Sequence, residues 1–448
     1  MDEQDTEKSA GQVDAKIVAD SDGRSIAADL YPASSVRKNF SWILIGNIVT
    51  EISLAGVLIS LAKFGSAVMQ GRFLLCLGIA TPTAVFLSLG LRALLITDSK
   101  EQFSFYDYFY LRIISCVVIA VACFLIGLYL VFFRHKYGVD FLIVLSLVGG
   151  FKAVDFLSDI CYAVFQKKQR MKYIGISRGI KALGAFAVTI VILAVTGSLA
   201  ATMAGWLVVY CTMALLYDLR TAERFYPEKG AFSLSHSLTL GKQAIPLVAV
   251  VTLLTLNSNV SRYIIAAYCG EAEIGYFGSM NYGVVAITMV FVAIGHAVLP
   301  KMVENFRSQP LGIWRLAAKV APVIAALGLS GFVVSLFLGR IALRILFSAE
   351  HARHVHVLWI LMGGSVLVGM ASLMGFASTA CRAFTATAFA WVVVVCGTII
   401  GGIILVPRYG MTGAACATVI SNFVALALAS MIVAIYTWRR HQQIALTA

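Results

Sequence analysis

Residues 71–95 read GRFLLCLGIATPTAVFLSLGLRALL, and the chain says this stretch twice. Its skeleton is Gly71, Phe73, Gly78, Phe86 and Gly90, set in an apolar run. About two hundred residues later the skeleton returns as Gly275, Phe277, Gly283, Phe291 and Gly295. The Gly78–Phe86–Gly90 spacing equals the Gly283–Phe291–Gly295 spacing, with one residue inserted between Phe277 and Gly283. Each copy exceeds the roughly 20 residues a helix needs to cross the hydrocarbon core of a bilayer. Two related halves in a membrane point to a transporter, because a repeat interface provides a substrate path.

Composition agrees with a membrane solvent. Of 448 residues, 60% are hydrophobic and 13% charged, against about 25% charged in soluble domains. The net charge of +13 does not mark a nucleic-acid binder, because the basic residues lie between apolar runs rather than on one polar domain. The nine cysteines show no metal-ligand or redox spacing, and seven of them, such as Cys76 and Cys161, sit inside apolar runs as small hydrophobes. No phosphate-binding glycine loop with its lysine and no exposed nucleophile constellation is present, so the expectation is a protein that is not an enzyme and carries no cofactor or metal.

In chain order, residues 1–38 are polar and lack apolar periodicity, which predicts a disordered tail; its acidic start is not that of a cleavable signal peptide. Apolar runs follow at 41–62, 73–97, 111–133, 139–165, 176–196 and 199–217. They resume at 244–268, 275–300, 317–339, 357–380, 385–406 and 412–437. Alternation is absent, so the fold class is all-α: a polytopic membrane protein of about 12 transmembrane helices. The runs divide into a six-helix unit over 39–220, a cytoplasmic linker over 221–243 and a second six-helix unit over 244–448. Pro82 is expected to kink the second span. A cytoplasmic N terminus places the basic segment Lys167–Lys172, Arg220, Arg224, Lys229, Lys301, Arg307, Arg315, Arg439 and Arg440 on the inner side. The outer side then holds Lys63, Arg72, Arg134, Lys136, Arg340, Arg344, Arg353 and Arg408. The bias predicts both termini inside the cell.

The informative residues are ionisable groups far from span ends. Glu51 falls mid-way along span one, and Lys152 near the middle of span four with Asp155 and Asp159 on the same helical face. Arg262 follows Asn257 and Asn259 in span seven, and Arg92 lies in the inner part of span two. Each midplane charge costs about 2.5–3.5 kcal/mol on insertion scales, so the set must face one another or a wet cavity. Lys152 and Asp155 can neutralise each other within one helix turn, Arg92 can snorkel to the inner headgroups, and Asn257 and Asn259 can serve as interhelical glue or line the cavity. His351, His354 and His356 with Arg353 read as a solvated outer loop.

Lys63-Phe64-Gly65 with Gly71, Leu91-Arg92 followed by Thr97-Asp98, the basic segment Gln166–Met171, Gly241–Leu247, Asn257–Tyr263, and Gly410 with Gly413-Ala414-Ala415 occur in the order seen in a known family. Over residues 39–437 the chain resembles the polysaccharide transporter branch, the O-antigen flippases in particular, of the multidrug/oligosaccharidyl-lipid/polysaccharide flippase superfamily. The resemblance implies two six-helix bundles around a central cavity, related by an axis along the membrane normal. It implies alternating access in a bacterial inner membrane, with an undecaprenyl-diphosphate-linked oligosaccharide moved from the cytoplasmic to the periplasmic leaflet. Its implied partners are that lipid-linked oligosaccharide, membrane lipids, and a polysaccharide polymerase and chain-length regulator.

The residues fit an anionic pyrophosphate on their own chemistry, because buried guanidinium and ammonium groups lower its barrier to crossing. Arg262, Arg92 and Lys152 are therefore the expected substrate-binding cations. Glu51, Asp155 and Asp159 are expected to balance charge or carry a coupling ion. A cation-coupled multidrug exporter of the same superfamily and a non-transporting scaffold for glycan synthesis are the competing expectations.

Overall fold

The computed structural model describes residues 36–98, 103–225 and 234–447, and every regular element among them is a helix. The tail expected over 1–38 lies outside the described residues except for 36–38, which are helical; of the linker expected over 221–243 only 226–233 lie outside, and 234–243 are helical. Helices α1 (Val36–Phe64) and α2 (Ala67–Leu87) are joined by a tight turn in which the Ser66 hydroxyl accepts from the Met69 amide. This cap satisfies one of the orphan donors that begin a helix.

The chain stays helical through Pro82. It breaks at Leu89 and Gly90, whose φ values of 55° and 56° lie in the left-handed region, and restarts as α3 (Leu91–Thr97). The single span expected over 73–97 is thus α2 plus a short inner helix. A leucine with positive φ carries no sequence signal, since only glycine adopts that region freely.

Next come α4 (Phe105–Leu128), started by a Ser104–Asp107 capping box, then α5 (Val139–Lys167), α6 (Met171–Thr196) and α7 (Leu199–Met213). A π-helical turn, Ala214–Leu219, carries α7 on into Arg220–Glu223. The remaining elements are α8 (Leu234–Tyr268), α9 (Glu271–Ser308), α10 (Gly312–Leu346), the short α11 (Ala349–Arg353), α12 (Val355–Gly363), α13 (Ser365–Ala380) and α14 (Phe384–Thr447).

Ten helical stretches among the described residues are long and apolar enough to cross a membrane. The count of twelve runs adds the one at 244–268 and separates 385–406 from 412–437. In the structure those last two belong to α14, broken at Gly410 (φ 57°, ψ −136°). A Cβ on Gly413 would lie 2.3 Å from the Leu405 carbonyl oxygen, so the chain folds back there. Its 60-residue stretch Phe384–Gln443, which would reach about 90 Å if straight, therefore forms a hairpin.

Packing follows small residues. Helix α1 runs along α6, where a Cβ on Gly175 would come within 2.5 Å of the Trp42 carbonyl oxygen. The repeated stretches pack on each other. A Cβ on Gly71 would sit 1.6 Å from the Glu271 carbonyl oxygen, and a Cβ on Gly275 would sit 2.4 Å from that of Ala67. Each glycine meets the residue four positions before the other. Helices α2 and α9 thus cross backbone to backbone with two-fold reciprocity, as only glycine allows. Phe73 and Phe277, the next members of the skeleton, are both buried in the core cluster that runs from Val57 to Ala415. The opposite faces present large apolar side chains outward, such as Val195, Phe337 and Phe389, as a lipid solvent requires.

Candidate functional site

Polar side chains join the first and second parts of the chain along the α2–α9 seam. The Arg72 guanidinium pairs with the Glu271 carboxylate at 2.9 Å, one turn from the glycine crossing. Beside it the Gln70 amide donates to the Leu58 carbonyl, while its oxygen lies 3.1 Å from His351 Nε2. That requires the Nε2-protonated tautomer and leaves Nδ1 to accept from Ser348, 2.8 Å away. His351 stacks on Phe347, meets Tyr276 edge-on, and is buried, so the solvated loop expected for it is corrected. Its partner Gln70 lies 281 positions away in sequence, where no local pattern reaches.

Further along the seam the Tyr282 hydroxyl donates to the Glu51 backbone (2.5 Å) and carboxylate (2.9 Å), and the Tyr263 hydroxyl donates to the Gly78 carbonyl. Glu51 is therefore a seam residue.

Burial pushes the His351 imidazole down to about 4. A histidine whose folded value lies below its ordinary 6.5 binds more protons unfolded than folded between those values, so stability rises with pH there. We expect melting temperature to fall as pH drops from 6.5 toward 4, with the slope reduced in His351→Gln. An unchanged slope would show that this imidazole does not govern the seam.

A second set of polar groups lies within the first part of the chain. Arg92, on α3, donates to Asp159 at 2.7 Å and to Gln166 at 2.9 Å. Arg112 on α4, fully buried, donates to the Ser88 carbonyl at 2.9 Å and approaches the other Asp159 oxygen only to 4.0 Å. Lys181 on α6 is buried in a complete cage. It donates to Asp218 (2.8 Å), Ser158 (2.5 Å) and Tyr162 (3.2 Å). Asp218 sits in the π-helical turn, a distortion often found at functional positions, and its second oxygen has no partner. Sequence reading passed over Arg112, Arg178, Lys181 and Asp218. The only available signal was an ionisable group inside an apolar run, since each partner is supplied by another helix.

Lys152 and Asp155 do not form the ion pair their spacing allows; Lys152 instead lies 5.7 Å from the Phe151 ring. Asn257 accepts from Thr398 at 2.8 Å, which ties α8 to α14. Arg262 donates to the Asn259 side-chain oxygen at 2.7 Å, and its buried Nε has no partner. Arg178 is held in the same way by the Asn47 oxygen at 2.7 Å, over the Tyr162 ring. Among the described residues no carboxylate pairs with either guanidinium. Five of the residues expected from sequence therefore fall into three places: Arg92 with Asp159, Glu51 in the seam, and Arg262 with Asn259 beside Gly78; Lys152, Asp155 and Asn257 join none of them.

Residues 36–306, more than half of the chain, match the family model of polysaccharide biosynthesis proteins. The chain belongs to that family. It is 23% identical over 399 residues to the capsular polysaccharide biosynthesis protein CapF of Staphylococcus aureus, covering 87% of this chain and 97% of CapF. Among solved structures, the lipid II flippase MurJ in an inward closed conformation superposes with a TM-score of 0.71 at 14% identity, covering 90% of this chain and 92% of MurJ. An inward-facing multidrug resistance MATE family transporter of the MOP superfamily gives 0.69 at 11%, covering 90% and 99%. At these identities the two structures establish the fold, which is that of flippases and MATE transporters. The chain is thus a multi-pass membrane protein of the polysaccharide biosynthesis family, as its sequence suggested.

Proposed function

We propose that the protein moves an undecaprenyl-diphosphate-linked oligosaccharide from the cytoplasmic to the periplasmic leaflet of a bacterial inner membrane, by alternating access. One observation carries the reading. Arg178 and Arg262 are each held by a neutral asparagine oxygen rather than a carboxylate, so their charge remains available to an anion inside an apolar protein. A carboxylate partner would offset that charge and compete with phosphate for the guanidinium, whereas an amide oxygen only orients it. Arg178 belongs to the unit over 39–220 and Arg262 to the unit over 244–448. Each of two bundles would then offer a cation to a diphosphate between them, with Lys152 and Arg92 as further cations.

The seam supports a closed end. Under the expected topology, with both termini cytoplasmic, Gly71, Arg72 and Glu271 lie toward the periplasm. The reciprocal crossing and its polar clasp would then shut the cavity on that side and leave it to receive cargo from the other. Glu51, held by Tyr282 across the seam, would report or balance the charge of the cargo, and Asp155 and Asp159 would balance the cations of the first bundle. A polysaccharide polymerase and chain-length regulator would act on the product.

Deletion of the gene tests the reading. The lipid-linked repeat unit should accumulate on the cytoplasmic leaflet, where glycan-modifying reagents added outside cannot reach it. Normal delivery in the deletion strain, or increased resistance to cationic dyes on overexpression without any change in delivery, would reject it in favour of a scaffold or an exporter respectively.

A further inference from the structure

Arg92, Arg112 and Asp159 form a three-membered arrangement in which the two arginines are not equivalent. Arg92 makes the short bond, 2.7 Å to one Asp159 oxygen, and retains about a quarter of its side-chain exposure. Arg112 has no exposure at all and stops 4.0 Å from the other oxygen. Its Nε and second terminal nitrogen are buried without a hydrogen-bond partner. Leaving N–H groups of a buried guanidinium unmet is costly, so this state of Arg112 awaits a partner that is close but taken.

The backbone shows which arginine can move. Arg92 lies two residues beyond Leu89 and Gly90, the left-handed pair that separates α2 from α3. Arg112 lies on the continuous α4 and is anchored through its other terminal nitrogen to the Ser88 carbonyl, on the far side of that break. The Phe156 ring backs Arg112 at 5.8 Å. One cation is thus hinged and reachable, the other fixed and sealed, with a single carboxylate between them.

We propose that Arg92 is an exchangeable arm. It leaves Asp159 to bind a phosphate oxygen of the cargo's diphosphate, and Arg112 closes onto Asp159 in its place. The exchange keeps Asp159 paired at every stage, so the arm can be released without stranding a carboxylate in a low-dielectric setting. Arg112 acts through Asp159 and never touches cargo; it is a positioning residue. The inference rests on the diphosphate-lipid reading above.

The test is binding of undecaprenyl diphosphate to the full chain in nanodiscs, with inorganic pyrophosphate as a soluble competitor. Arg92→Gln should weaken binding about tenfold, the loss of a charge-assisted hydrogen bond. Asp159→Asn should strengthen it, because the arm then loses its carboxylate and is held by the neutral Gln166 oxygen. Arg112→Gln should weaken it about tenfold, and Asp159→Asn should restore affinity in the Arg112→Gln background but not in the Arg92→Gln background. A merely structural Arg112 would give no such rescue.

If Arg112→Gln fails to fold, Asp159→Asn alone decides: unchanged or weaker binding overturns the exchange. Pyrophosphate competing as well as the lipid would assign the arm to a soluble anion and overturn the headgroup assignment. Binding that depends on Arg262 but ignores Arg92 and Asp159 would overturn the exchange and leave the function standing. A wild-type protein that binds no undecaprenyl diphosphate would overturn both.

Discussion

Gly71→Ala should lower the melting temperature of the purified protein and abolish delivery of its cargo, although it adds one methyl group. The added Cβ would lie 1.6 Å from the Glu271 carbonyl oxygen and 3.0 Å from the Gly275 nitrogen. Both are backbone atoms of α9, so no side chain can rotate away and the helices must separate. Overpacking of this kind costs about 1–3 kcal/mol, and more where backbone must move. Separation also pulls Arg72 from Glu271 and Gln70 from His351, which depend on the same approach. Gly275→Ala should behave alike through Ala67, whereas Gly397→Ala, with nothing within 4 Å of the new atom, should melt as the wild type does. Equal melting of Gly71→Ala and Gly397→Ala would refute the crossing.

Lys181→Met should be the most destabilising of the charge removals. It leaves Asp218, which is fully buried and already lacks a partner for one oxygen, without the cation that pairs with it among the described residues, and strips a donor from Ser158 and Tyr162. Breaking a buried pair by removing one member costs about 3–5 kcal/mol, whereas replacing both with apolar residues of similar volume is often neutral. Asp218→Leu in the Lys181→Met background should therefore recover much of the loss. The readout is thermal unfolding in detergent. A double variant no more stable than Lys181→Met would mean that the pair contributes more than mutual neutralisation.

These two sites mark what the sequence could and could not convey. The glycines of the doubled stretch stood out because their spacing recurs, and the first of each copy, Gly71 and Gly275, proved to be where the repeats touch, whereas Gly78 and Gly283 face other helices. The positions of α1, α4 to α7 and α9 were legible because lipid demands uninterrupted apolar runs. The break at Leu89 was not, since leucine is a helix former and its left-handed conformation is imposed by surrounding structure. Gly295, which matches Gly90 in the repeat, stays within α9 and faces the Phe376 ring.

Charges were legible as exceptions in apolar runs, which found Glu51, Arg92, Asp159 and Arg262. Their partners were not. Asp159 is 67 positions from Arg92, and Glu51 is 231 from Tyr282. The local pairing expected of Lys152 with Asp155 did not form, because spacing on a helix permits a contact without compelling it.

The central claim is that guanidiniums oriented by asparagines, and so left unneutralised, receive an anionic cargo. Reconstitution tests it most directly: lipid-linked oligosaccharide movement across proteoliposomes containing the wild type, Arg178→Ala or Arg262→Ala, each checked for equal insertion and melting. The account requires each variant to slow movement by at least about tenfold, the scale of one charge-assisted hydrogen bond, and Arg262→Lys to recover part of it. Movement at the wild-type rate in both alanine variants would contradict it.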